Sequence, residues 1–195
     1  MESIKNSSEL KFAHLVPEVW SKLAEIPRTG WVRRGIENPE TVQEHTLALK
    51  ALAPAVSDLL SEFSSDEKQD LLDILEIHDW AEAIDGDKVT ITSDPVERKK
   101  LKEEKFTSER DAMAKITESL GVEGSVIFDL WLRFELSDDR VADLARQLDK
   151  YQAIEKAYEY EKSSGKPLFK EFADYAIKDI KHPLLIEKIE SMRLK

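Results

Sequence analysis

Residues 76–87 read EIHDWAEAIDGD. Just before them, Leu71, Ile74 and Leu75 recur at the spacing of one helix face, and His78 continues that series. Glu82 follows four residues later on the same face. Asp79 lies one step round, at the edge of the stripe. A buried carboxylate costs several kcal/mol unless it is paired or coordinates a metal. A His-Asp pair on a core stripe therefore demands a partner from elsewhere in the chain.

Helical periodicity continues on both sides. Ser64 and Glu67 have capping-box spacing for a helix over about 66–83. Asn38 reads as the N-cap of the preceding helix, with Pro39 at its first position and an end near Phe63. Its apolar stripe is Val42, Leu49, Leu52, Val56 and Leu59, and His45 falls on it. Upstream, residues 8–26 suggest an amphipathic helix, and 27–37 are irregular. Downstream, Gly86 and the TITSDP segment end the third helix. A fourth is expected over 95–120, its charged first half solvated, with Glu104 and Lys105 on that solvated face. Gly121 and Gly124 break it. A short helix over 125–135 follows, then a longer one from Ser137-Asp138-Asp139 to about Lys162. Asp149 lies within its Ala142, Ala145, Leu148, Ala153, Ala157 face. Short helices fill 167–180 and 182–193. No segment alternates as a strand, so the expected fold class is all-α.

The four residues invite separate readings and a joint one. His45 alone would be a hydrogen-bonded core histidine. Asp79 alone would be a buried partner of an arginine, and Asp149 beside Lys150 a solvated helix edge. Taken together, on three inward faces, His45, His78, Asp79 and Asp149 point to one divalent cation. Two imidazoles and two carboxylates suit Mn, Fe, Co, Ni or Zn. With no sulfur ligand, a closed structural zinc site is disfavoured.

Composition limits the remaining options. The chain has 195 residues, 41% apolar and 35% charged, with a formal net charge of −11 and no cysteine. That length fits one domain over 1–195, with the motif-bearing core at about 8–165. The helices of 167–193 are expected to pack on that core or to form an oligomer interface through positions such as Leu184, Leu185 and Ile189. So acidic a surface disfavours nucleic-acid polymers and anionic membranes. Any phosphate ligand would need a local cation. No apolar run approaches the roughly 20 residues of a membrane helix, and MESIKNSSELKF lacks the apolar core of a signal peptide. A soluble, cytoplasmic protein is expected.

His45, His78-Asp79 and Asp149 resemble the H…HD…D pattern of the HD-domain metal-dependent phosphohydrolases. RTGW at 28–31, PETVQEH at 39–45, HDWAEAIDGD at 78–87, EEK at 103–105 and DKYQAIEKAYEYE at 149–161 resemble its 5′-deoxynucleotidase branch, the HD domain-containing protein 2 type. The resemblance implies an all-α HD domain with a metal between core helices, and one divalent ion (Mn, Co, Fe, Ni, Zn or Mg) as cofactor. It implies hydrolysis of a (deoxy)nucleoside 5′-monophosphate to nucleoside and phosphate, and often a homodimer. Glu82 would move a proton, as general acid for the leaving oxygen or base for the water. Asp87 would act beside it and contact the sugar, or simply cap a turn after Gly86. Arg28 and Trp31 would approach phosphate and sugar, with Arg33 and Arg34 as substitutes for Arg28. Ala153 and Lys156 depart from the Met and Gln usual in the branch, and Trp80 and Asp85 from smaller or apolar residues. The competing readings are another HD phosphohydrolase substrate, or a non-catalytic metal-stabilised nucleotide-binding module.

Overall fold

The computed structural model describes residues 10–55, 60–89, 92 and 94–194, with 53–55 by backbone alone, and contains no strand among them. The fold is all-α. The N-terminal stretch departs from the helix expected over 8–26. A 3-10 turn at Ala13–Leu15 is followed by a separate helix α1, Pro17–Leu23. Pro17 has no N–H to continue a helix but suits the first position of a new one. Helix α2, Thr29–Val32, is a single turn within the segment read as irregular.

Helix α3 spans Val42–Ala55. Asn38 does not cap it; its φ of 51° places it in a left-handed turn, a conformation Asn tolerates. The cap is Thr41. Its hydroxyl accepts the Glu44 N–H at 3.2 Å, and the Glu44 carboxylate accepts the Thr41 N–H at 2.8 Å, a reciprocal capping box. Val56 and Leu59 lie outside the described residues, while residues 60–63 form a tight turn, the Phe63 N–H bonded to the Leu60 carbonyl, and not the expected end of an α-helix.

Helix α4, Ser65–Ile77, begins at the expected box, with Ser64 and Glu67 bonded in both directions. It does not run to residue 83. From Ile77 the bonds shorten to i→i+3, Trp80 N–H to Ile77 and Glu82 N–H to Asp79. A one-turn helix α5, Glu82–Asp85, then ends at Gly86. On an unbroken α-helix adjacent side chains diverge by about 100°. Ending α4 at the His-Asp pair allows both side chains to be aimed at one point.

Helix α6, Pro95–Thr117, is capped by Asp94, whose carboxylate accepts the Val96 N–H. Helix α7, Gly121–Leu136, starts earlier than expected. Gly124 does not break it. A Cβ there would lie 2.2 Å from the Thr117 carbonyl oxygen, so glycine permits the tight return from α6. Helix α8, Arg140–Ser164, is capped by Asp139. Helix α9, Phe169–Ala176, leads through a 3-10 turn into α10, Pro183–Arg193.

The core sets Leu71, Ile74 and Leu75 of α4 with Leu144, Leu148 and Tyr151 of α8 and Ile127 and Trp131 of α7. Leu185 and Ile189 of α10 join it and are fully buried. They are used within the chain, not on an outer face. A smaller cluster joins Trp31 and Ile36 to Ala157 and Leu168. One buried acid was not anticipated. Glu76 accepts the backbone N–H groups of Lys11, Phe12 and Ala13 at 2.8, 2.6 and 2.9 Å, and pairs with the Lys50 ammonium at 2.5 Å. It ties the N-terminal stretch to α3 and α4.

Candidate metal centre

Helices α3 and α8 and the end of α4 bring His45, Asp149, His78 and Asp79 together. Ligand-type atoms of His45, His78 and Asp79 all lie within 4.8 Å of one another. Asp149 Oδ1 is 3.1 Å from His45 Nε2, and Asp79 Oδ2 is 3.3 Å from His78 Nε2 and 3.7 Å from His45 Nε2.

The hydrogen bonds behind each imidazole decide which nitrogen faces inward. Trp31 donates its indole N–H to Glu40 Oε1 at 3.0 Å, and Gln152 donates its amide to Glu40 Oε2 at 3.1 Å. Glu40 as a carboxylate only accepts, so Gln152 presents its oxygen to His45 Nδ1, 2.7 Å away. His45 Nδ1 must carry the proton, and Nε2 is a bare lone pair. His78 Nδ1 likewise faces the Leu75 carbonyl at 3.1 Å. Both Nε2 atoms are buried and make no hydrogen bond among the described residues. Two lone pairs therefore converge on two carboxylates, acceptors facing acceptors. A cation among them fits this donor set, and the residues present match a divalent ion.

The electrostatics agree. Burial works against the Asp79 carboxylate, but His78, Arg28 and His45 outweigh it and hold its pKa well below the usual range. Burial disfavours the His78 cation, yet Asp79 overrides it and raises the pKa. A proton and a metal ion thus compete for the same lone pair. Arg28 Nη1 donates to Asp79 Oδ2 at 2.8 Å and its Nη2 lies 3.9 Å from Asp149. Glu82 is 2% exposed, with Oε2 lacking a hydrogen bond among the described residues. Burial, then Asp79 and Asp87, push its pKa well above the ordinary carboxylate value. It does not pair with Lys88, which turns to Asp85 at 3.3 Å.

Two expected substrate contacts stand differently. Asp87 accepts the Thr29 N–H at 2.6 Å, so its carboxylate holds the start of α2 as well as facing Glu82 electrostatically. Trp31 is 2% exposed, stacked on Phe172 at 4.4 Å. Its side chain is core, and its reach to the site runs through Glu40. Arg34 is bound to Glu171 and to the Gly30 carbonyl; Arg33 is exposed. Trp80 is fully buried core, and Asp85, partly exposed, accepts from Ser108. Glu40 and Gln152 were missed in the sequence; Glu40 precedes the α3 stripe, whereas Gln152, four residues after Leu148 and buried, interrupts the α8 face and was the available signal. Replacing Gln152 by Leu removes the acceptor for His45 Nδ1. Metal affinity should fall about 10–100-fold, the range for second-layer partners, in a metal titration of the folded variant.

The model of the HD domain family matches residues 20–189. A "5′-deoxynucleotidase HDDC2" from Dictyostelium discoideum is 33% identical over 86% of this chain and 89% of that protein. The Danio rerio protein of the same name is 36% identical over 81% of this chain and 72% of its own length. A "5′-deoxynucleotidase hdd1" from Schizosaccharomyces pombe is 35% identical over 85% of this chain and 80% of its own. Among solved structures, a conserved hypothetical protein from Pyrococcus furiosus superposes with a TM-score of 0.68 at 26% identity, over 91% of this chain and 96% of that one.

Proposed function

The chain belongs to the HD domain family, and on that premise we propose that it is a metal-dependent phosphohydrolase releasing phosphate from deoxynucleoside 5′-monophosphates. The 5′-deoxynucleotidase names of its relatives support the substrate class. The observation that carries the reading is the pair of buried, bare Nε2 atoms of His45 and His78 turned towards Asp79 and Asp149. These four residues would hold one divalent ion. When bound, such an ion supplies Lewis acidity towards water and a phosphoryl oxygen.

The chain's own groups do the rest. Arg28, already against both aspartates, brings a fixed positive charge to the phosphate. Glu82, whose burial beside Asp79 and Asp87 favours its protonated form, is poised as the general acid for the leaving 5′ oxygen. Asp87 contacts the sugar and holds Thr29, which fixes the turn that carries Arg28. Trp31 backs that turn from the core. No helix among the described residues is long and apolar enough to cross a membrane. The reading extends to a homodimer, as the family resemblance implies, and to the cytoplasm, as the composition suggests. With Leu185 and Ile189 buried, its interface would use another surface, and sedimentation would count the chains.

The test is phosphate release from deoxy- and ribonucleoside 5′-monophosphates with Mn²⁺, Co²⁺, Mg²⁺, Zn²⁺ or EDTA. Metal-dependent release from the deoxy series, abolished in Asp79→Ala, is expected. Silence across the panel from folded, metal-loaded protein would sink the reading.

A further inference from the structure

Lys105 was expected on a solvated face, and it is not there. Its side chain is only 30% exposed, and its ammonium lies 3.3 Å from Glu109 Oε1, one turn on in α6. Glu109 is itself buried. Beside them on the same face, Ser108 donates to Asp85 of α5, which docks this part of α6 against the short helix that carries Glu82. Lys105 stands one turn before Ser108 on the face that docks on α5, and against the cost of burial Glu109, then Glu82 and Asp79, favour its charged form. It makes no bond to Glu82, whose Oε2 stays bare among the described residues.

The charges of the centre ask for such a group. With neutral imidazoles from His45 and His78, Asp79 and Asp149 together cancel a divalent ion. Arg28 would then stand alone against a dianionic phosphate, with the acids Glu82 and Asp87 close by and a net charge of −11 on the chain. Glu109 only partly offsets Lys105, since burial pushes its carboxyl up to about 7 against the pull of the lysine.

Resting on the functional reading above, we propose that Lys105, positioned by Glu109, is a second phosphate-directed cation of the site, facing the substrate from α6 as Arg28 does from the turn before α2. The decisive comparison is wild type, Lys105→Met, Lys105→Arg and Glu109→Gln, each metal-loaded with Mn²⁺. Inorganic phosphate binding is followed by calorimetry, and kcat and KM are measured with a deoxynucleoside monophosphate. Lys105→Met should weaken phosphate binding and raise KM about 10- to 100-fold, the range of one charge-assisted hydrogen bond. Metal content should not change. Lys105→Arg should recover most of the loss, and Glu109→Gln should show a smaller loss in the same direction. Wild-type phosphate affinity in folded Lys105→Met overturns the inference, as does a fall in kcat alone with KM and phosphate affinity intact. A wild type that neither binds phosphate with metal nor releases it overturns the functional reading, and this inference with it.

Discussion

Glu82→Gln should lower kcat by about 10²–10⁴-fold, the usual contribution of a positioned general acid, with metal content unchanged. The carboxyl sits buried beside Asp79 and Asp87, which favours its protonated form. Gln keeps the shape but has no proton to give. The pH profile carries a second signature. In the wild type the acid limb must be protonated, so activity should fall as pH rises through the elevated Glu82 pKa. That limb should vanish in Glu82→Gln, leaving a low and flatter profile. Unchanged kcat in the variant would remove Glu82 from the chemistry and return its role to packing.

Glu76→Ala should be the most damaging single change to stability. The carboxylate is fully buried and accepts three consecutive backbone N–H groups and the Lys50 ammonium. Removing one partner of a buried ion pair costs about 3–5 kcal/mol, and here Lys50 loses its Glu76 partner. The three N–H groups would lose their acceptor as well. A urea titration should show a much lower midpoint. Glu76→Gln should fall between, since its carbonyl oxygen still accepts while its charge is gone. A near-native midpoint for Glu76→Ala would mean that the N-terminal stretch contributes little to the folded state.

The two kinds of residue were not equally visible in the sequence. His45, His78, Asp79 and Asp149 could be picked out because each interrupts or borders an apolar stripe, and periodicity alone reveals an interruption. The helices followed from the same periodicity and from boxes such as Ser64 and Glu67. Errors arose where local signals competed. Asn38-Pro39 outranked the correct Thr41-Glu44 box, and the stripe running through His78 hid the end of α4 at Ile77. Gln152 lies on the same buried α8 face as Asp149 and was open to such reading, but its pairing with Glu40, 112 residues away in the chain, was not. Lys105 looked like one more charge in a charged run. Only the docking of α5 against α6 shows it turned inward.

The chain of contacts from Phe172 through Trp31, Glu40 and Gln152 to His45 joins the tail to the centre in one continuous line of packing and hydrogen bonds. Phe172 belongs to α9, remote in sequence from every candidate ligand. Peeling α9 away would unseat Trp31, free Glu40 and let the His45 ring turn. Coupling of this kind is reciprocal. With such coupling, an ion that tightens His45 would also tighten the seat of α9, the tail a remote clamp on the centre and the ion a clamp on the tail.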